Sequence, residues 1–368
     1  MKRYVAVDSG KFATKVAEYI PGETEEQDIV KVFSIRTKAS EGDFRDDAIE
    51  ANTVVVNIDG ETYKIGNGAR GEGAELDTNK KSDVHRLCTL TALAYLANDN
   101  PEDPDEFCVA IGLPAKDWSV VPKRIDYKDY ILPEGEVNIS IKKRSTSPVK
   151  EKTFKIAQRF VFPESIGALF MDETIDSITP TTITGVIDLG NLNLNATLWQ
   201  GTEPVLDKSA TAELGGAILI QELSQELSAN IATCDELITA NILKSEDRCL
   251  PASANLTEEQ IEESRKLIKR VLLQHAEKVK RVCRARNWSL DVTNIIAIGG
   301  TSKDIEEELK QTFGNNIVVL KDSSYCNALG YLRMLCARVP EVNKVIPFNF
   351  PSKEQSSGKE KVQEDGVA

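Results

Sequence analysis

Histidine is almost absent from this chain, with only His85 and His275 among 368 residues. Imidazole acid–base chemistry, or a metal site built from histidines, therefore has little material. Both histidines fall in helical patterns, where a helix-surface or interface position is expected. Long apolar runs are missing too, and none approaches the roughly 18 residues that a membrane span requires. The opening MKRYVAVDSG is basic, but its apolar run ends at once in Asp8. It reads as a first strand and not as a signal peptide. The seven cysteines are odd in number and show no close pairing, which argues for reduced thiols, a cytoplasmic compartment and no cysteine-held metal. Positive charge is in deficit, since 45 Lys and Arg face 58 Asp and Glu for a formal net charge of −13. Such a chain is repelled by nucleic acid and by anionic lipid. Direct DNA binding and membrane attachment are disfavoured, and a basic partner protein is the easier complement.

The apolar and charged fractions that remain are ordinary for a globular protein, and the length suggests about two domains. The leading feature is a matched pair of strand-turns far apart in sequence. VAVDSGKFATKVA (Val5 to Ala17) lies near the start and GVIDLGNLNLNATLW (Gly185 to Trp199) near the middle. In each, an apolar run ends in Asp-x-Gly, crosses small and polar residues, and returns to an apolar strand. Two such hairpins facing each other would clamp a phosphate chain and its metal between two halves of a protein.

Around this pair the chain reads as alternating strands and helices. After a polar stretch rich in Glu and Asp, Val54 to Ala69 forms a hairpin with Asp59-Gly60 at its turn. Gly66, Gly68, Gly71 and Gly73 follow, but no strand-to-helix switch and no GKS or GKT triplet brackets them, so a phosphate cradle is not expected there. Ser82 to Ala97 repeats leucine at helical spacing, and Phe107 to Pro114 is a buried strand. EVNISIKK and KTFKIAQRFVFP alternate as strands joined by a basic, solvated tip, and PESIGALF opens a helix. A helix follows from Gly215-Gly216, a shorter one spans about Asp235 to Leu243, and Leu256 to Arg286 forms the clearest helix, with Thr257 and Gln260 as its capping box. NIIAIGGTSKDIEEELKQTF is strand, Gly-Gly turn and helix, NIVVLKD is a strand, and SYCNALGYLRMLCARV a helix. The tail from Pro351 lacks apolar periodicity and is expected to be disordered. A strand-rich opening repeated after residue 185 predicts two similar α/β lobes.

Asp8 and Asp188 end their strands where a carboxylate best holds hydrated Mg²⁺, a cation that keeps several waters and takes only one or two carboxylates. Ser9, Gly10 and Lys11 offer backbone N–H groups at the first turn, and Lys15 returns along the second strand to offset phosphate charge. Gly190 and Asn191 would do the same from the opposite lobe. Glu164, in Pro163-Glu164-Ser165, is either a plain helix start or a carboxylate that orients a water at the terminal phosphate. Gly299-Gly300-Thr301 is either a tight turn or a flat seat for a nucleoside beside a helix N-terminus. Gly215-Gly216 either packs closely on a neighbour or lets the sugar approach.

Taken in order, Asp8-Ser9-Gly10 to Lys15, Pro163-Glu164-Ser165, Asp188-Leu189-Gly190, Gly215-Gly216 and Gly299-Gly300-Thr301 resemble the actin, heat-shock chaperone and sugar-kinase superfamily. Asn327-Ala328-Leu329-Gly330-Tyr331 fits that family's closing helix, so the resemblance covers about residues 1 to 340. Within it the Pro-Glu-Ser element, the IDGETYKIG hairpin and the length are similar to bacterial actin-like proteins of the ParM type, which segregate plasmids. The resemblance implies two actin-like, ribonuclease H-like lobes around a cleft that holds ATP (or GTP) and Mg²⁺. It implies lobe I at 1–170 with an inserted subdomain at about 35–100, completed by 322–345, and lobe II at 171–321. It also implies filaments that assemble with nucleotide, hydrolysis that destabilises them, and a basic DNA-binding adaptor (ParR-like). Asp8 and Asp188 would then hold magnesium mainly through water. Ser9, Gly10, Lys15 and Gly190 would contact phosphates, Glu164 would position the attacking water, and Gly216, Gly299 and Gly300 would border the nucleoside. One departure is plain. The family's second phosphate turn continues with Gly, Thr or Ser and then Asp, whereas this chain reads Asn191-Leu192-Asn193-Leu194-Asn195. A small-molecule kinase of the same superfamily is the alternative, although no second carboxylate beyond Glu164 stands out as its base. A chaperone-like module would need a further substrate-binding domain, and a membrane filament an amphipathic terminal helix.

Overall fold

The computed structural model describes residues 1–342 apart from 23, 25, 26, 46–48, 72–78, 254 and 292. Gly73 and the tail from Pro351 lie outside the described residues. Strands β1 (Lys2–Ser9) and β2 (Ala13–Ile20) form an antiparallel hairpin in which Asp8 stands opposite Lys15. On β2 lies β3 (Ile29–Arg36), followed in sequence by β4 (Ala39–Glu41), β5 (Thr53–Ile58) and β6 (Glu61–Gly66). Helix α1 (Asp83–Leu96) leads to β7 (Asp105–Leu113), the short α2 (Ala115–Trp118), α3 (Val121–Ile131), β8 (Gly135–Lys142) and β9 (Lys150–Pro163). These strands make one sheet in the order β3-β2-β1-β7-β9-β8-β5-β6-β4. Val5, Ala6 and Val7 are all fully buried, because β1 is a central strand covered on both faces.

The second sheet repeats the core of the first. Strands β10 (Ile183–Leu189), β11 (Leu194–Gln200) and β12 (Glu203–Ala212) form an antiparallel meander, with Asp188 opposite Asn195. Helices α4 (Gly216–Asn230), α5 (Glu236–Lys244) and α6 (Glu258–Ala285) precede β13 (Asn294–Ile298). Then come α7 (Gly300–Asp304), α8 (Glu306–Phe313), β14 (Ile317–Val319) and α9 (Cys326–Arg338). The order β12-β11-β10-β13-β14 matches β3-β2-β1-β7-β9 strand for strand, with the same antiparallel and parallel pairings. The two-lobed α/β architecture expected from the paired hairpins is the observed one.

Period-two alternation decides which face meets which layer. Val5, Val7 and Val16 point to a core shared with α1 and α3, whereas Tyr4, Ala6, Ala17 and Tyr19 point to α9. In the second sheet Val186, Trp199, Ile296 and Ile298 face that same α9 core, and Ile187, Leu189, Ile295 and Ala297 face α4, α6 and α8. One apolar cluster therefore spans both lobes around α9. Full burial of a side chain such as Leu329 or Leu332 there is worth about 1.5–3 kcal/mol. The helix gets close because Gly330 meets Gly167, and a Cβ on Gly330 would lie 2.3 Å from the Gly167 Cα.

Several local expectations change. Strand β3 lies in what reads as a polar stretch, since it is a half-exposed strand at the sheet edge. Strand β12 and helix α3 are likewise additions. The helix expected after Pro163 is a short 3₁₀ segment, Ile166–Phe170, entered through Ser165 at φ 71°. The helix after Gly299 breaks at Ile305, and the strand in NIVVLKD is only Ile317–Val319. Both histidines are fully buried at helix packing faces, the interface position of the two expected. The capping box at Thr257 and Gln260 forms as expected.

Candidate functional site

The two Asp-bearing hairpins open onto one cleft between the sheets, with a volume of about 840 Å³. Such a volume is in the range that encloses a nucleotide-sized ligand. Asp8, Glu164 and Asp188 all line it, each delivered by the end of a different strand or the turn just after it. Burial pushes the Asp188 carboxyl up to about 6, and the nearby Asp8 and Glu164 carboxylates push the same way against Lys15 and the Asn327 amide. The three acids thus act on one another in one cleft, with lysines offsetting part of their charge. Among the described residues no three His, Cys, Asp or Glu side chains converge into an all-protein metal cage. The donor set fits a hydrated divalent ion held through one or two carboxylates and phosphate oxygens.

The two turns use their glycines alike. The Gly10 amide donates to the Ala13 carbonyl at 3.2 Å and the Gly190 amide to the Asn193 carbonyl at 3.0 Å. These N–H groups, expected to face phosphate, close the turns instead. Ser9 turns its hydroxyl away from the cleft, into a chain through Thr14 and Thr37 to the Gly10 carbonyl. Lys11 and Lys15 line the cleft from the first turn, and Asn191, Asn193 and Asn195 from the second.

Gly215 and Gly216 serve the turn and not the cleft wall. The amides of Gly215, Gly216 and Ala217, at the start of α4, donate to the carbonyls of Leu192, Gly190 and Asn191 at 3.1, 3.0 and 2.7 Å. A Cβ at Gly215 would lie 2.4 Å from the Asn191 oxygen, so close packing is the alternative realised. The Thr301 hydroxyl adds a bond to the Gly190 carbonyl at 2.9 Å. The atypical Asn turn is therefore clamped from two helices. Gly299 has φ 92°, and a Cβ there would lie 2.3 Å from the Leu189 oxygen, which makes it a packing residue beneath Asp188. Gly300 and Thr301 do line the cleft, and Gly300 has open space where a side chain would be.

Two residues not foreseen complete the site. Asn327, at the start of α9, donates from its amide to the Asp188 carboxylate at 3.0 Å and accepts from the Ser165 amide at 3.1 Å. It ties the Glu164 turn of one lobe to the acid of the other, and an Asn among the small and apolar residues that open α9 is its sequence signal. Lys80 sits 2.8 Å from Glu164 across an ion pair buried on both sides. Burial pulls its pKa down, but Glu164 and Asp8 outweigh that, so it stays charged. It lies in a polar Lys-Lys run with no periodicity to single it out. Ser165 holds a left-handed backbone that costs about 1–3 kcal/mol in a non-glycine residue. Its buried hydroxyl has no hydrogen-bond partner, and Ser165 is among the residues that line the cleft.

A second depression, about 700 Å³, follows the solvent face of α6 and is edged by Lys266, Lys269, Arg270 and Arg281. It is one helix's solvated charge face, with none of the converging acids of the cleft.

Residues 6–167 match the family model described as the actin-like proteins N-terminal domain. No curated protein matches the chain. Among solved structures, the Alp12 filament superposes with a TM-score of 0.66 at 22% identity, covering 91% of this chain and 98% of that one. A 15-stranded ParM filament from Clostridium botulinum gives 0.62 at 18%, covering 91% and 99%. An archaeal actin homologue in complex with ADP gives 0.63 at 17%, covering 89% and 97%. Residues 6–167 are accordingly similar to an actin-like N-terminal domain, and the chain shares the two-lobed fold of the actin-like proteins.

Proposed function

We propose that this chain is a filament-forming nucleoside triphosphatase of the ParM type, which assembles with nucleotide, disassembles after hydrolysis, and moves plasmid DNA through a basic adaptor protein. The observation that carries the reading is the convergence of Asp8, Glu164 and Asp188 on one cleft between two matching half-sheets. Likeness in fold to proteins solved as filaments supports self-association, and likeness to one solved with ADP supports nucleotide as the ligand. The division proposed is lobe I at 1–170 with its insertion at about 35–100, completed by 322–345, and lobe II at 171–321. Among the described residues no helix is long and apolar enough to cross a membrane, and the proposed setting is the cytoplasm.

Phosphoryl transfer relies on placement and charge stabilisation more than on covalent help from the protein. Lys11 and Lys15 offset the phosphate chain, and Gly300 and Thr301 border the nucleoside. Asp8 and Asp188 would hold magnesium through water, which when bound supplies charge neutralisation at the phosphate oxygens. Glu164 accepts a proton-side contact from the attacking water and aligns it, and Asn327 fixes Asp188 relative to that turn. Sedimentation with ATP, GTP, ADP or no nucleotide tests the reading. Pelleting only with a triphosphate is expected. A protein that stays in the supernatant under every condition is no filament, and phosphorylation of an added small molecule would make it a kinase.

A further inference from the structure

One cation reaches the floor of the cleft from outside the two core sheets. Lys80 comes from the segment between β6 and α1, and its ammonium bonds both the Glu164 carboxylate and the Ser9 carbonyl at the first turn. Only 12% of the Lys80 side chain and 11% of the Glu164 side chain are exposed, so this is an interior pair and not a surface contact. Two residues on, Ser82 is the N-cap of α1, and its hydroxyl bonds Nδ1 of His85 at 2.8 Å. Lys81 between them pairs with Asp126 of α3. Lys80 thus lies two residues from the N-cap of α1, whose Leu87 and Leu90 share a core with Val54, Val56 and Ile65 of the β5–β6 hairpin.

A carboxylate neutralised by a lysine is a weaker acceptor for a water proton than a free one. Glu164 cannot both hold Lys80 and align an attacking water at full strength. We propose, on the basis of the nucleotide reading above, that Lys80 is a positioning residue that senses the terminal phosphate. It clamps Glu164 while a diphosphate fills the cleft, and moves to the terminal phosphoryl oxygens when a triphosphate enters. An ammonium on a flexible stem suits this exchange, because it is a point charge with three rotatable donors. The phosphoryl group offers more negative charge than one carboxylate, and Ser165, next to Glu164 in the chain, lines the same cleft. Release of Glu164 and movement of the α1 start then follow from one event, which ties nucleotide state to the inserted hairpins.

The test measures affinity of full-length wild type, Lys80→Met and Lys80→Arg for ADP, GDP and the β,γ-imido analogues of ATP and GTP. Lys80→Met should weaken the triphosphate analogue by about tenfold or more, as expected for losing a charged hydrogen bond. Diphosphate affinity should change by less than about twofold, and Lys80→Arg should keep part of the discrimination. Equal losses for di- and triphosphate would mean a purely structural pair and would overturn the proposal. Amide exchange of residues 79–86 in the wild type gives an answer that needs no variant. It should differ between the two nucleotide states, and identical protection would overturn the proposal as well. A wild type that binds none of the four nucleotides would sink the function itself, and this inference with it.

Discussion

The two lobes share five strands in one order and one Asp-x-Gly turn each, yet they bring opposite chemistry to the cleft. Superposing the hairpins by register sets Asp8 on Asp188, Gly10 on Gly190 and Lys15 on Asn195. The first lobe lines the cleft with Lys11, Lys15, Lys80 and Lys116, while among the described residues those lining it from the second include no Lys or Arg. The second lobe offers amides and hydroxyls, and its turn is held by the α4 start and Thr301. Shared topology therefore fixes where the acids stand but not how charge is distributed. One lobe carries the electrostatics of anion binding, and the other supplies a rigid polar wall.

The sharpest way to break that division is Glu164→Ala, which removes the carboxylate proposed to align water. Hydrolysis should fall about 10²–10⁴-fold, the usual contribution of a positioned base, while triphosphate-dependent pelleting persists. Phosphate release at the wild-type rate would end that assignment. Next in size, Lys15→Ala should weaken triphosphate binding about tenfold or more by loss of a charged hydrogen bond, and Asn195→Ala, its counterpart in the second hairpin, by only a few-fold. Calorimetric titration of both variants decides it, and the reverse order would show that charge is not what separates the lobes.

Smaller effects test the joint and the two buried histidines. Gly330→Ala forces a methyl into the Gly167 backbone and should cost about 1–3 kcal/mol in urea unfolding. An unchanged midpoint would show that the lobes need no such close crossing. In the first lobe burial, with Lys80 and Lys11 nearby, pulls His85 down to about 3 from its ordinary 6.5. Between those values the unfolded chain binds a proton that the folded chain does not. Stability should therefore be intact above pH 6.5 and fall as pH drops below it, by at most about 1.4 kcal/mol per pH unit for this group. His275 in the second lobe is also lowered by burial, although the Leu214 carbonyl opposes the shift. Urea midpoints from pH 7.5 to 5 should show a steeper slope removed by His85→Gln than by His275→Gln. An equal change from both would erase this contrast.

The fold was legible because its signals are local and periodic. The apolar runs ending in Asp8 and Asp188, the Asp59-Gly60 hairpin, and the capped helix from Thr257 each carry their own pattern. Strand β3 and helix α3 were harder, since their exposed faces are polar and their type is settled by what they pack against. The site divides the same way. Asp8, Lys15, Glu164 and Asp188 were readable from motifs, and the structure places all four along one cleft. The glycines at 215, 216 and 299 were visible as glycines, but their packing role depends on which backbone lies opposite.

The sequence by itself determined the two half-sheets and the acids at their turns, because strand periodicity and Asp-x-Gly turns are written in neighbouring residues. Only the tertiary structure decided that Lys80 meets Glu164 and that Asn327 joins Ser165 to Asp188. Those contacts span 84, 162 and 139 residues of chain. No local pattern encodes them; they exist because burial in a shared core brings distant polar groups together and makes each seek a partner.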